Sequence, residues 1–203
     1  MTRYIGSPEL NNLDPFLLLD FFESDNPDDY IAGFPSHPHR GFETVTYLLA
    51  GKVRHKDSTG HSGIIETGGI QWMTAGRGII HSEMPEQEGG RLAGFQLWVN
   101  LPAADKMCQP AYHEYPVTKI PVETRANGAI VRVITGNTSA QTRGPVSGAA
   151  TDPLYLDVTL PAGCNLSEPV PANHAAFIFA IDGDVHLSGL STDCSIAAKQ
   201  LGV

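Results

Sequence analysis

Apolar residues in this chain come in short runs that end at glycine, proline or Asp/Asn clusters, and within the runs alternation is commoner than a helical period. Phe16 to Phe22 lies between the turn composition Asn11-Asn12-Leu13-Asp14-Pro15 and the polar loop Ser24-Asp25-Asn26-Pro27-Asp28-Asp29, and it predicts an early core strand. In Phe34-Pro35-Ser36-His37-Pro38-His39-Arg40-Gly41 two prolines exclude a central, fully paired strand and predict an edge. Glu43 to Leu49 is rich in strand formers and ends at Ala50-Gly51. Val53 to Lys56 follows, which reads as a hairpin, and Asp57-Ser58-Thr59-Gly60 supplies the next turn. Ile64-Ile65, a turn at Gly68-Gly69 and Gln71-Trp72-Met73 lead to Ala75-Gly76-Arg77-Gly78, after which Ile79 to Glu83 is a strand. Gly94 to Leu101 alternates, with Phe95, Leu97, Val99 and Leu101 on one face and Gln96, Trp98 and Asn100 on the other. If the polar-aromatic face lines a cavity, Gln96 and Trp98 are pocket residues.

Four prolines are spread through residues 102–128, which read as a connector with a short helical stretch at Ala103 to Met107. Beyond it, Ile130 to Ile134, Leu154 to Leu160, Ala176 to Ile181 and Val185 to Leu187 are predicted strands. The strand-glycine-strand pattern around Gly51 resembles Ile181-Asp182-Gly183-Asp184-Val185, which suggests a duplicated unit. This second half holds His174 and His186 but no His-x-His pair, and reads as scaffold. The class expected is all-β.

Composition narrows the function. The 203 residues suit one large domain or two small ones, with 41% apolar content and only 17% charged residues. Thirteen Lys and Arg against 22 Asp and Glu give a net charge of −9, which excludes phosphate-backbone binding as the main activity, so no direct nucleic-acid partner is expected. Cys108, Cys164 and Cys194 form no CxxC pair and read as incidental thiols of a reducing compartment. The N-terminus lacks a charged-then-apolar leader and Phe16 to Phe22 is too short to span a bilayer. The expected location is cytoplasmic, without a membrane partner.

Candidate chemistry sits in two i, i+2 pairs, His37-Pro38-His39 and His81-Ser82-Glu83. In a strand both members of each pair face the same side, so each can offer two donors to one ion. Together they make three imidazoles and a carboxylate. Four such ligands on a six-coordinate transition metal leave up to two positions open for a small molecule and O2. The spacing alone is weak, since histidines satisfied by hydrogen bonds give the same pattern; the glycine-rich strand-turn-strand context adds weight. His55 and His61 lie in a polar turn region and are expected to face solvent.

The segments Phe34 to Val45, Gln71-Trp72-Met73-Thr74-Ala75-Gly76-Arg77-Gly78-Ile79-Ile80-His81-Ser82-Glu83-Met84-Pro85 and Gln96-Leu97-Trp98-Val99-Asn100-Leu101 resemble the pirin family. Asn12-Leu13-Asp14-Pro15-Phe16 and Leu154-Tyr155-Leu156-Asp157 match it too. The resemblance implies a bicupin of two jelly rolls, with an N-terminal metal-binding cupin over residues 1–117 and a C-terminal cupin over 118–203. It implies one metal held by His37, His39, His81 and Glu83, with Fe(II) the usual ion and other divalent transition metals accepted. Glu43, four residues past His39, competes for the carboxylate role, because cupins often place a ligand there; the pirin resemblance favours Glu83.

Some pirins open the flavonol ring of quercetin with O2. The implied activity is therefore a quercetin 2,3-dioxygenase-type oxidoreductase acting on a flavonol or similar enol, with Glu83 as ligand and base for the substrate hydroxyl. The competing class, implied by animal pirins, is an iron-binding, redox-sensing partner of transcription factors without turnover. Pirins normally continue beyond the position of Lys199 to Val203, so the second jelly roll is expected to lack its final strands. A homodimer covering the open edge, a truncated product and a loss of function are the expected alternatives.

Overall fold

A computed structural model describes residues 1–188 and 193–203. The first ten strands are β1 (Thr2–Ile5), β2 (Phe16–Ser24), β3 (Phe34–His39), β4 (Phe42–Ala50), β5 (Lys52–Asp57), β6 (Ser62–Glu66), β7 (Ile70–Thr74), β8 (Ile79–Pro85), β9 (Leu92–Asn100) and β10 (Ala111–Tyr115). They form a six-stranded sheet in the order β1-β2-β9-β4-β7-β10 and a four-stranded sheet in the order β3-β8-β5-β6. Neighbours in both sheets run antiparallel. The jelly-roll expectation is met.

Side-chain alternation explains why the sheets face each other. Leu48 of β4, Val53 of β5, Ile65 of β6 and Leu92 of β9 close one end of the interior as a buried apolar cluster, with Phe22 and Tyr30 packed on it. A second cluster, Met73, Ala75 and Ile79 with Tyr112 against it, fills another part. Between them the inward faces of β4, β7 and β9 carry Thr46, Gln71 and Gln96, which bond to residues of the opposite sheet. The outward face of β4 is also covered: Glu43, Val45 and Tyr47 are buried, and the Tyr47 hydroxyl donates to Asp157 at 2.5 Å. A strand buried on both faces shows no polar/apolar alternation, which is why β4 reads simply as strand formers.

Three expectations need correcting. The Gly51 turn does not close a hairpin, because β4 pairs with β7 and β9 while β5 pairs with β6 and β8. Gly51, at φ 93°, is a corner at which the chain changes sheets; an added Cβ would also meet the Leu92 side chain at 2.7 Å. The true hairpin is β5–β6 around the Asp57 turn, where Asp57 N–H donates to the His61 carbonyl. Ala103 to Met107 forms turns held by Asp105 N–H to Pro102 O and Cys108 N–H to Asp105 O, and no helix. The supposed connector contains β10, which pairs with β7.

The described residues divide into two compact units, Met1–Glu168 and Pro169–Val203. The first also contains β11 (Val122–Thr124), β12 (Ile130–Thr135) and β13 (Tyr155–Thr159), an antiparallel three-stranded sheet. Val131, Val133 and Ile134 of β12 are fully buried. The second unit holds β14 (Ile178–Phe179), β15 (Val185–Leu187), β16 (Cys194–Ile196) and β17 (Leu201–Gly202), with β14 paired to β17 and β15 to β16. Around Gly183, as around Gly51, the strands on either side of the glycine pair elsewhere. Among the described residues no helix is long and apolar enough to cross a membrane.

Candidate metal centre

The edge strand β3 and its neighbour β8 bring the two motif pairs together. Their register sets His37 opposite His81 and His39 opposite Ile79, and Phe34 opposite Glu83 after an irregularity. In β8 the inward residues Ile79, His81 and Glu83 are buried, whereas Ile80 between them is half exposed, as a period of two requires. The return between the pairs depends on Gly76, at φ 48°, whose added Cβ would stand 2.3 Å from the Cys108 carbonyl oxygen. Gly41 N–H closes the same turn on Gly76 O at 2.8 Å.

One donor nitrogen from each of His37, His39 and His81 falls within a cluster no wider than 4.8 Å. His37 Nε2 is 2.9 Å from His39 Nε2 and 3.0 Å from His81 Nε2. On its other side, His37 Nδ1 lies 2.7 Å from the Pro35 carbonyl, which only accepts, so Nδ1 carries a hydrogen and the neutral form of the ring has its lone pair on Nε2. Burial, then the neighbouring His37, lowers the His39 imidazole to about 4. Burial, followed by the charges of His39, His37 and His55, lowers His81 to about 3. Both rings are therefore neutral at pH 7, the form that binds metals. With a lone pair on each Nε2, nitrogens about 3.0 Å apart would repel one another and attract a cation. Nitrogens bound at about 2.1 Å and at right angles would themselves stand about 3.0 Å apart, so the donor set fits a first-row divalent ion.

Glu83 is not among the atoms gathered within 4.8 Å, but it lines the same cavity as His37 and His39. Burial raises its carboxyl above the ordinary range, opposed by hydrogen bonds from Thr46 and Gln96 and by His37. Thr46 Oγ1 donates to Oε1 at 2.8 Å and Gln96 Nε2 to Oε2 at 3.0 Å. The cavity measures about 120 Å³ and is walled by Met1, Arg3, Asp20, Phe34, Gln96 and Trp98 besides His37, His39 and Glu83. Gln96 and Trp98 are thus pocket residues, a placement that the alternation of β9 left conditional on which face meets the cavity. At the rim, Arg3 makes a two-pronged ion pair with buried Asp20, at 2.9 and 3.0 Å. Trp98 and Phe42 stack obliquely and both abut the His39 ring. A larger open depression of about 250 Å³, on the outer face near Ser36, Lys56 and Ser82, contains none of the three histidines.

Glu43 points elsewhere. Thr46 reaches Glu83, so the alternation of β4 sends Glu43 to the opposite face, where Thr74 Oγ1 donates to it at 2.7 Å. His61 is exposed, as expected, but His55 is not: it is only 1% exposed and lies directly behind His81. His55 Nδ1 is 3.3 Å from His81 Nδ1 and 3.0 Å from Gln71 Nε2, and its Nε2 is 3.1 Å from Asp57 Oδ2. Burial lowers the His55 imidazole, partly opposed by Asp57. Burial raises Asp57, yet hydrogen bonds from Thr59, His55 and His61 outweigh it and hold the carboxyl below its usual value. The signal for this pair was present, since His55 and Asp57 are also spaced i, i+2 on a strand; the adjoining Ser-Thr-Gly made them read as a solvated turn.

An antiparallel jelly roll with imidazoles converging on an internal cavity defines a cupin-type domain equipped for a metal. The pirin family model matches residues 1–99. A pirin-like protein of Caulobacter vibrioides is 54% identical over 193 residues, covering 95% of this chain and 70% of that protein. A Pseudomonas aeruginosa protein provisionally named a quercetin 2,3-dioxygenase is 48% identical, covering 93% of this chain and 67% of its own length. Among solved structures, a quercetin 2,3-dioxygenase of Acinetobacter baumannii superimposes with a TM-score of 0.82 at 35% identity, covering 93% of this chain and 66% of that one. The chain belongs to the pirin family, and spans about two thirds of the length of these relatives.

Proposed function

We propose that the chain is a metal-dependent dioxygenase of the quercetin 2,3-dioxygenase type, with His37, His39, His81 and Glu83 as ligands of one divalent ion, Fe(II) foremost. The observation that carries this reading is the gathering of one nitrogen from each of His37, His39 and His81 within 4.8 Å, with His37, His39 and the buried Glu83 carboxyl lining one cavity. Three neutral imidazoles and one carboxylate would leave such an ion with a charge of about +1, supplying Lewis acidity toward an anionic enolate and a meeting place for O2. Burial makes Glu83 a better proton acceptor than an exposed carboxylate, which suits it to take the proton of a flavonol 3-hydroxyl. Thr46 and Gln96 fix both of its oxygens, so the acceptor is aimed before substrate arrives. Trp98 and Phe34 offer apolar faces at the cavity wall for an aromatic ring. We place the boundary of the catalytic domain after β10, near residue 117.

A cavity of about 120 Å³ is smaller than the ~300 Å³ at which pockets begin to bury drug-sized ligands. A flavonol would therefore enter by its oxygen-bearing edge, with the remaining ring against the mouth. The same tightness favours a second reading, an iron-binding sensor that responds to oxidation without turnover. An absorbance assay separates the two. Fe(II)-loaded protein is expected to bleach quercetin in air and not under argon; full metal loading without O2-dependent bleaching would sink the dioxygenase reading and leave the sensor.

A further inference from the structure

Four imidazoles, not three, are stacked in this interior, and the fourth has no place in the ligand set. We infer that His55, anchored by Asp57 and Gln71, is a positioning residue that fixes the tautomer of His81 so that His81 turns a bare Nε2 toward the metal. The inference rests on the metal-centre reading above and extends it to residues that do not touch the ion.

The Asp57 side chain is wholly buried. Its Oδ1 is occupied by the Thr59 hydroxyl at 2.6 Å, the Thr59 N–H at 2.8 Å and the His61 N–H at 3.2 Å. Its Oδ2 is left for His55 Nε2 at 3.1 Å. A carboxylate only accepts, so that nitrogen carries the hydrogen. Neutral His55 then has a lone pair on Nδ1, where the Gln71 amide donates at 3.0 Å. His81 Nδ1, 3.3 Å from the same lone pair, can bond to it only as a donor. With its hydrogen on Nδ1, His81 has a bare Nε2, the atom that stands 3.0 Å from His37 Nε2. The opposite setting would turn a His55 lone pair against the Asp57 carboxylate.

Tyr112 locks the device from a different strand. Its ring lies flat on His55, with centroids 4.3 Å apart and planes 16° off parallel, which resists a flip of the imidazole. Histidines that bind metals commonly donate their second N–H to a carboxylate or a carbonyl, and loss of that acceptor costs about 10- to 100-fold in metal affinity. His37 uses the nearby Pro35 carbonyl for this purpose, whereas His81, in the middle of its sheet, has an imidazole.

Two measurements test the inference. In the metal-free parent protein, long-range ¹⁵N–¹H correlation spectra are expected to show the hydrogen of His55 on Nε2 and that of His81 on Nδ1. In a Co(II) titration against a chelator, His55→Leu, which offers no acceptor, is expected to bind about 10- to 100-fold more weakly. His55→Asn, which keeps an acceptor near the old Nδ1, should recover most of that loss, a rescue that mere packing would not give. A His81 hydrogen found on Nε2, or a folded His55→Leu protein with parental affinity, would overturn the inference. Where His55→Leu does not fold, the parent spectrum and His55→Asn decide. Failure of the parent protein to bind Co(II) would overturn the metal-centre reading, and the tautomer spectrum separates that failure from failure of the relay.

Discussion

His37→Ala is expected to fold like the parent protein and to lose divalent-metal binding by a factor on the order of 100 or more, beyond the cost of removing a residue that only orients a ligand. His37 is the hub of the cluster, since its Nε2 approaches both other ε-nitrogens, at 2.9 and 3.0 Å. It is also the cheapest of the three to remove. The ring stands on edge strand β3, is only half buried, and has its second bond to a carbonyl two residues away. His81 is 1% exposed among packed side chains, so its truncation would add a cavity penalty to any loss of metal. Equilibrium dialysis with Co(II), alongside circular dichroism of the metal-free variant, checks the prediction. Parental affinity in a folded His37→Ala protein would mean that the three rings do not share an ion.

Glu83→Gln and Glu43→Gln are expected to part company, although both carboxylates are buried and both carry a threonine hydrogen bond. At position 83 the change removes the negative charge facing the histidines, and the amide keeps an acceptor for Thr46 but places an NH2 group where Gln96 now donates. Metal affinity should fall by about 10- to 100-fold or more, with loss of O2-dependent quercetin bleaching. At position 43 the amide oxygen still accepts from Thr74, and its NH2 replaces Oε2, an oxygen with no hydrogen-bond partner among the described residues. Metal affinity should stay within a few-fold of the parent. Side-by-side titration of the two variants reads the difference, and a larger loss at 43 than at 83 would reverse the assignment.

How far the sequence carries depends on whether a feature is local. The prolines at 35 and 38 sufficed to place β3 on an edge, and strict alternation in β9 sufficed to put Gln96 and Trp98 on one face, though not to show that this face lines the cavity. The two i, i+2 motif pairs were legible for the same reason, because a strand turns both members to one side. Gly51 was not, since a hairpin turn and a corner between sheets share one composition and differ only in which distant strands pair. The choice between Glu43 and Glu83 was equally hidden. It turns on the parity of β4 after the Arg40-Gly41 turn, and the sequence does not count through a turn. His55 is buried by Gln71, His81 and Tyr112, the last from a strand concealed among prolines, and its i, i+2 spacing with Asp57 carries no trace of that distant cover.

The central claim is that one divalent ion sits among three imidazoles and a carboxylate. X-ray absorption at the iron edge of anaerobically loaded protein, with iron quantified per chain, addresses it directly. One iron per chain is expected, with a nitrogen and oxygen shell without sulfur and the multiple-scattering pattern of three imidazoles, diminished in His37→Ala. Sub-stoichiometric iron, a sulfur shell from the free cysteines, or a spectrum indifferent to His37 would contradict it.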